Sequence, residues 1–359
     1  MIWYGDFISL KNKIVNFYKY VWGRAVYSTF LRDLYKLRVK LFPWYLPLPS
    51  YIEIETTTKC NFRCKMCEHT YWKIPPMDMS FNQFKSVIDQ LPTLKWIGMT
   101  GIGESFLNKD FIKMLKYVKS KYIWIELFDP FFLIDNAIAK ELLDLGIEVM
   151  YVSLDGATKE TYEKIRVGSN FDSVIKNIKN FIRMKNERNA KYPRLIFHFI
   201  ISKINMHEIE KYIELVHSFG LENPEILFTP TLHSYKEIEG LYINVPEEVP
   251  KSVDKKAREL GVKIAWNANV PKVLPPITRC FAWLMPFIFV TGDVSPCCAS
   301  NEQNERDFQV KNCFGNVFET SFKDIWNGDK FREFRKKILR GEVPPICKSC
   351  TIYDTGAKA

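Results

Sequence analysis

The chain has no uninterrupted apolar run near the roughly 20 residues that a membrane-spanning helix needs. Its N-terminus shows neither the apolar stretch nor the small-residue cleavage site of a secretory signal. It also contains no internal repeat and no low-complexity tract. These absences argue against a membrane-spanning or exported protein and against a repeat array. With 359 residues, 47% of them hydrophobic, the chain can bury a large core and hold more than one domain.

Cysteine, by contrast, is not scarce. There are nine, and they cluster: Cys60, Cys64 and Cys67 lie in TTTKCNFRCKMCEHT, and Cys347 and Cys350 form a CxxC. Such clusters suit metal binding better than disulfides and make a reducing cytoplasm the expected setting. The net charge of +10 is uneven. Residues 1–50 hold eight Lys/Arg against two Asp, and thirteen aromatics.

Residues 8–22 and 26–41 read as amphipathic helices, with Ile14, Phe17, Tyr18, Val21 and Trp22, then Leu31, Leu34, Leu37 and Leu41, at helical spacing. PWYLPLP at 43–49 ends the second. From 51 to about 230, candidate strands at Ile52–Glu55, Trp96–Thr100, Ile123–Phe128, Val149–Leu154, Leu195–Ile201 and Glu225–Phe228 alternate with helical stretches. That alternation implies an α/β fold of parallel β/α units, and six units suit a partial (β/α)6, TIM-like barrel. Active-site residues in such barrels gather at the C-terminal ends of the strands, and Cys60–Cys67 follows the first strand directly. The segment 231–275 reads as a connection with structure of its own, a helix at Ser252–Leu260 and a strand at Val262–Trp266. The expected units are thus a helical extension (1–49), the barrel (50–230), the connection (231–275) and a second cysteine-bearing module (276–359).

Three thiolates on one short loop can hold three irons of a cubane cluster and leave the fourth iron open. Soft thiolates suit Fe–S clusters or zinc, and His69 could complete a zinc site. Further motifs follow: Thr100-Gly101-Ile102-Gly103-Glu104-Ser105 after the second strand, Val152-Ser153-Leu154-Asp155-Gly156 with Tyr162–Arg166 after the fourth, and Asn205 after the fifth. Together with the CxxxCxxC spacing, these resemble the radical S-adenosylmethionine (SAM) superfamily. The resemblance implies a 4Fe–4S cluster on Cys60, Cys64 and Cys67, with SAM on its open iron. It also implies SAM contacts from Gly101, Gly103 and Glu104 (methionine amino group), Ser153 and Arg166 (carboxylate or ribose) and Asn205. Read without the family, a solvated charge is the lesser alternative for Arg166, and Asn205 is equally an ordinary turn residue.

Two departures from the family pattern stand out. Gly-Ile-Gly-Glu-Ser replaces Gly-Gly-Glu-Pro, and Phe128-Asp129-Pro130-Phe131-Phe132 replaces Thr-Asn-Gly at the end of the third strand. The second points to an apolar substrate cavity in which Asp129 is the polar group, unless Phe131 and Phe132 are simply core.

The C-terminal module carries Cys280, Gly292-Asp293-Val294-Ser295-Pro296-Cys297, Asn316-Val317, Ile325-Trp326-Asn327 and the final CxxC, an order similar to the SPASM/twitch extension of radical SAM enzymes. The resemblance implies one auxiliary 4Fe–4S cluster on Cys280, Cys297, Cys347 and Cys350, saturated by thiolates and acting as an electron relay. Cys298 and Cys313 are spare, and a zinc ribbon is the alternative.

The activity implied is reductive cleavage of SAM to a 5′-deoxyadenosyl radical, fed by a flavodoxin or ferredoxin. The expected substrate is a small molecule, sugar-like or lipid-linked; the apolar loop and the basic N-terminus favour the lipid-linked version, with peripheral membrane contact through residues 1–45. The alternatives are a helical cap on the barrel for that segment and, for the whole chain, a peptide-modifying maturase or a non-catalytic Fe–S or zinc scaffold. A nucleic-acid partner is not expected, since the basic residues form no RNA-binding motif.

Overall fold

The computed structural model describes residues 45–266 (without 231–235, 244 and 247), 284–297 and 306–347, together with 37, 38 and 40–42. The expected helix at 8–22 and most of that at 26–41 lie outside the described residues.

Seven strands alternate with helices, β1 (Tyr51–Ile54), β3 (Trp96–Met99), β4 (Trp124–Asp129), β5 (Val149–Ser153), β7 (Arg194–Ile201), β8 (Glu225–Pro230) and β9 (Lys263–Trp266), and β10 (Phe287–Ile288) joins them in the main sheet. With β11 (Val294–Ser295) the order is β11-β10-β1-β3-β4-β5-β7-β8-β9. Every pairing is parallel except β10 with β11. A separate two-stranded ladder joins β2 (Arg63–Cys64) to β6 (Arg166–Val167).

The central strands β1, β3 and β4 are buried on both faces, which explains their near-continuous apolar character. Ile52, Ile54, Ile97, Met99, Ile125, Leu127, Met150, Val152, Phe197 and Phe199 pack against the helices. Tyr51, Trp96, Trp124, Val149 and Ile196 form a second cluster on the inner face. Several helices start where the sequence supplies a cap: Ser80 and Gln83 form a capping box before Phe81–Asp89, and Asp135 and Asn170 cap Asn136–Leu145 and Phe171–Glu187.

The partial barrel contains the six expected strands and extends further at both edges. The helix Glu248–Leu260 and β9 continue the β/α alternation, so this stretch is part of the sheet rather than a connection standing apart. At the other edge, β10 of the C-terminal module pairs in parallel with β1. The module also grips the segment before β1. Trp326 Nε1 donates to the Pro47 carbonyl at 2.9 Å, and the Asn327 carboxamide bonds both backbone groups of Leu46.

Candidate active site

β1 carries the chain from the sheet into the cysteine loop, where side chains supply the bonds the backbone lacks. The Thr57 hydroxyl donates to Asp78 Oδ1 at 2.7 Å, Lys59 Nζ to Asp78 Oδ2 at 2.6 Å, and the Thr70 hydroxyl to the Cys64 carbonyl at 2.7 Å. Cys60, Cys64 and Cys67 are all free thiols. Burial raises each of them, Cys64 to about 11. Buried thiolates need a cationic partner, and three soft donors on one loop fit an iron–sulfur cluster. Zinc loses the fourth ligand that the sequence offered. His69 Nε2 lies 2.8 Å from the Thr58 carbonyl and Nδ1 faces Arg63, so its ring is committed elsewhere.

The loop after β3 lies directly on the cysteine loop. Glu104 N–H donates to the Lys59 carbonyl at 2.7 Å. A Cβ on Gly103 would sit 2.2 Å from the Thr57 carbonyl oxygen, and one on Gly101 2.5 Å from Glu55 Cγ. Gly103 is therefore required for the approach of two backbones, and Gly101 leaves room for the buried Glu55 side chain.

At the end of β4, Asp129 is buried and meets the side chain of Glu104. Its Oδ1 accepts from Phe131 N–H at 2.6 Å, while Oδ2 has no donor except a proton on Glu104. Burial, then repulsion between the two carboxyls, raises Glu104 well above the usual range, and burial lifts Asp129 to about 6. Of the apolar loop, Phe131 is core, packed edge-on to Phe181, whereas Phe132 meets Phe62 of the cysteine loop with ring centroids 5.3 Å apart. Phe128 turns instead to the inner face and stacks on Tyr151 at 4.2 Å.

Arg166 is buried rather than solvated. Nε and Nη2 reach Asp155 Oδ2 at 2.7 and 2.5 Å, and Asp155 Oδ1 accepts from Ile200 N–H at 2.8 Å. The β2–β6 ladder sets Arg166 opposite Cys64. Ser153 ends β5, half-buried, with its backbone opposite His198. Asn205 spends its carboxamide within the fold. It donates to the carbonyls of Asp155 and Ile200 and accepts from the Ser202 N–H and hydroxyl, the geometry of a structural turn. Sequence reasoning assigned no role to Asp155 or Glu208. Glu208 accepts from Ala157 N–H and the Thr161 hydroxyl, fixing the start of the helix Lys159–Ile165 that delivers Arg166. Both are acids at the ends of apolar strands or helices, a signal too common to single them out.

In the C-terminal module Cys297 and Cys347 are half-buried and Cys313 is buried beside Phe287 and Phe289. Cys280, Cys298 and Cys350 lie outside the described residues, so the four expected ligands are not seen together. The module reaches the barrel through Arg306, which pairs with Glu55 and lies over the Phe289 ring.

Comparison with known proteins bears directly on this arrangement. The family model of the radical SAM superfamily matches residues 54–216, and that of the SPASM iron–sulfur cluster-binding domain matches 280–351. The chain belongs to the radical SAM superfamily and carries a SPASM domain. Among its relatives, the tungsten-containing aldehyde ferredoxin oxidoreductase cofactor-modifying protein of Pyrococcus furiosus is 24% identical over 85% of this chain and 88% of its own length. Mycofactocin maturase MftC of Mycobacterium tuberculosis is 24% identical over 88% of this chain and 79% of its own. In fold, SuiB of Streptococcus suis bound to SAM superposes with a TM-score of 0.64 at 15% identity, covering 88% of this chain and 73% of SuiB. As a radical SAM enzyme the protein takes SAM and a 4Fe–4S cluster in the barrel and auxiliary Fe–S chemistry in the SPASM domain. The half-buried thiol loop fits the first of these groups, and Cys60, Cys64 and Cys67 would hold it.

Proposed function

We propose that this radical SAM enzyme is a maturase that modifies a peptide, forming a thioether, a C–C bond or an oxidised side chain. The observation that carries this reading is the resemblance to a maturase across both domains, 88% of this chain. A protein of the same fold, SuiB, has also been solved with its precursor peptide SuiA. The sugar-like or lipid-linked substrate expected from sequence loses support. Phe131 of the apolar loop belongs to the core and does not line a cavity there.

Bound at this site, the cluster and SAM supply a 5′-deoxyadenosyl radical able to take hydrogen from an unactivated carbon. The chain's own residues do the rest. Gly103 brings the β3 loop onto the cysteine loop, and Gly101 leaves room for Glu55. Asp155 holds Arg166 beside Cys64, where a cation suits the SAM carboxylate. Glu104 and Asp129 offer a buried acidic pair for the methionine ammonium. Phe128 and Tyr151 wall the inner face against water. Cys297 and Cys347, with Cys280 and Cys350, would hold one auxiliary cluster as the electron relay, and a flavodoxin or ferredoxin would supply the first electron.

The test is anaerobic incubation of reconstituted protein with SAM, reductant and a short peptide encoded beside its gene. The reading expects 5′-deoxyadenosine above a Cys60/Cys64/Cys67→Ala control and a mass change in the peptide. SAM cleavage stimulated by a lipid-linked sugar, with the peptide unaltered, would overturn it.

A further inference from the structure

Outside the barrel mouth, the helix Phe171–Glu187 and the start of Asn136–Leu145 enclose a groove of about 600 Å³. Lys176, Lys179 and Arg183 line it, with Asn136, Asp172 and Asn180 between them. All three cations are exposed. Asp172 pairs with Lys159, and Arg183 shares an exposed pair with Glu187, which holds it only weakly. Among the described residues, neither Lys176 nor Lys179 has an ion-pair partner. Unpaired lysines one helical turn apart, in a concave site, form a positive patch that the fold itself does not use.

The groove adjoins the cysteine loop through direct contacts. Asn177, on the same helix, donates to the carbonyls of Phe131 and Phe132 at 2.9 and 3.0 Å. Phe132 then packs on Phe62, which lies between Cys60 and Cys64. Arg63, next in the chain, is exposed and donates to the Cys60 and Phe62 carbonyls, adding a cation at the loop's outer rim.

We propose that this groove is the docking face of an acidic one-electron donor protein, flavodoxin-like in charge, held by Lys176, Lys179 and Arg183 with its redox group towards Phe62 and the cysteine loop. The proposal rests on Cys60, Cys64 and Cys67 being the ligands of a reducible cluster. The step balances without a proton. An anionic flavin hydroquinone gives up one electron and becomes the neutral semiquinone, and the cluster passes from the 2+ to the 1+ state. Opposite charge accelerates such encounters and makes them sensitive to salt, whereas a membrane or nucleic-acid partner would leave the redox rate untouched.

Stopped-flow reduction of the cluster-loaded protein by photoreduced flavodoxin tests this, comparing wild type with K176E/K179E. Titanium(III) citrate serves as a small reductant that needs no docking face. At low salt the variant should lose on the order of tenfold in its rate with flavodoxin and most of its salt dependence, while the titanium(III) rate stays unchanged. Equal flavodoxin rates for the two proteins, or equal losses with both reductants, would overturn the proposal. Calorimetric titration of oxidised flavodoxin into apoprotein and loaded protein separates the two readings. Weaker binding by the variant supports the docking face even if no cluster loads, which would count against the ligand assignment instead. Wild-type affinity in K176E/K179E sinks the docking face.

Discussion

Arg306 of the SPASM domain donates through Nη2 to Glu55 Oε1 at 2.8 Å, across 251 residues of sequence. Glu55 is fully buried at the end of β1 and also accepts from Ile102 N–H in the glycine loop and Val290 N–H in the SPASM domain. One carboxylate thus joins the strand that leads to the cysteine loop, the loop carrying Gly101 and Gly103, and the second domain. Arg306→Met leaves that carboxylate buried without its cation and should cost about 3–5 kcal/mol. Adding Glu55→Gln should recover part of the loss, because it removes the buried charge while the amide oxygen still accepts from one of the two N–H groups. Urea unfolding of the two single variants and the double variant measures the coupling; additive losses would show that the pair is not energetically linked.

The contrast between what sequence could and could not reveal follows from the range of each interaction. Strand periodicity, cysteine spacing and the glycine loop are local patterns, and each lies where the fold places it. The expected strand at Val262–Trp266 is β9, whereas β10 and β11, two residues each, are too short to carry a period. Glu55–Arg306, Asp155–Arg166 and Glu104–Asp129 pair residues from separate elements, and no local signal marks an acid whose partner arrives only on folding. Asn205 shows the converse: a family position suggested a cofactor contact, while its neighbours at β5 and β7 use every bond it can make.

The acidic pair predicts a pH dependence for the SAM-free protein. A carboxyl whose pKa rises on folding binds its proton more tightly in the native state. Asp129's contribution to stability is therefore fully present below its ordinary value of 3.8 and lost as pH rises through about 6. Asp129→Asn removes that loss, since its amide can donate to Glu104 while Oδ1 still accepts from Phe131 N–H. The variant should gain about 2 kcal/mol over wild type at pH 8 and nothing at pH 3.5. A gain of equal size at both pH values would show that the carboxyl's titration is not the cause. In the holoenzyme the same change should raise KM for SAM, if the pair faces its ammonium.

The two kinds of glycine in the barrel should behave differently. Gly146 closes the helix Asn136–Leu145 in a left-handed conformation with open space around it, so Gly146→Ala should cost only about 1 kcal/mol. Gly103 has no such room, since a Cβ would lie 2.2 Å from the Thr57 carbonyl oxygen. Gly103→Ala must separate the β3 loop from the cysteine loop. It should weaken SAM binding and lower the iron retained after reconstitution, whereas Gly146→Ala leaves both at wild-type levels. Iron analysis and equilibrium dialysis of SAM would decide, and full iron with normal SAM affinity in Gly103→Ala would refute the assigned packing role.

Arg166 should matter for the cluster before it matters for SAM. Its backbone pairs with Cys64, and its guanidinium is the cation facing a fully buried Asp155. Arg166→Met strands that carboxylate and should destabilise the protein by about 3–5 kcal/mol. Pairing it with Asp155→Asn removes the buried charge and should restore much of the stability, because Ile200 N–H keeps its acceptor. If Arg166 also serves the SAM carboxylate, the double variant will fold and load iron yet bind SAM weakly. Recovered stability with unchanged SAM affinity would confine Arg166 to holding the β2–β6 ladder beneath Cys64.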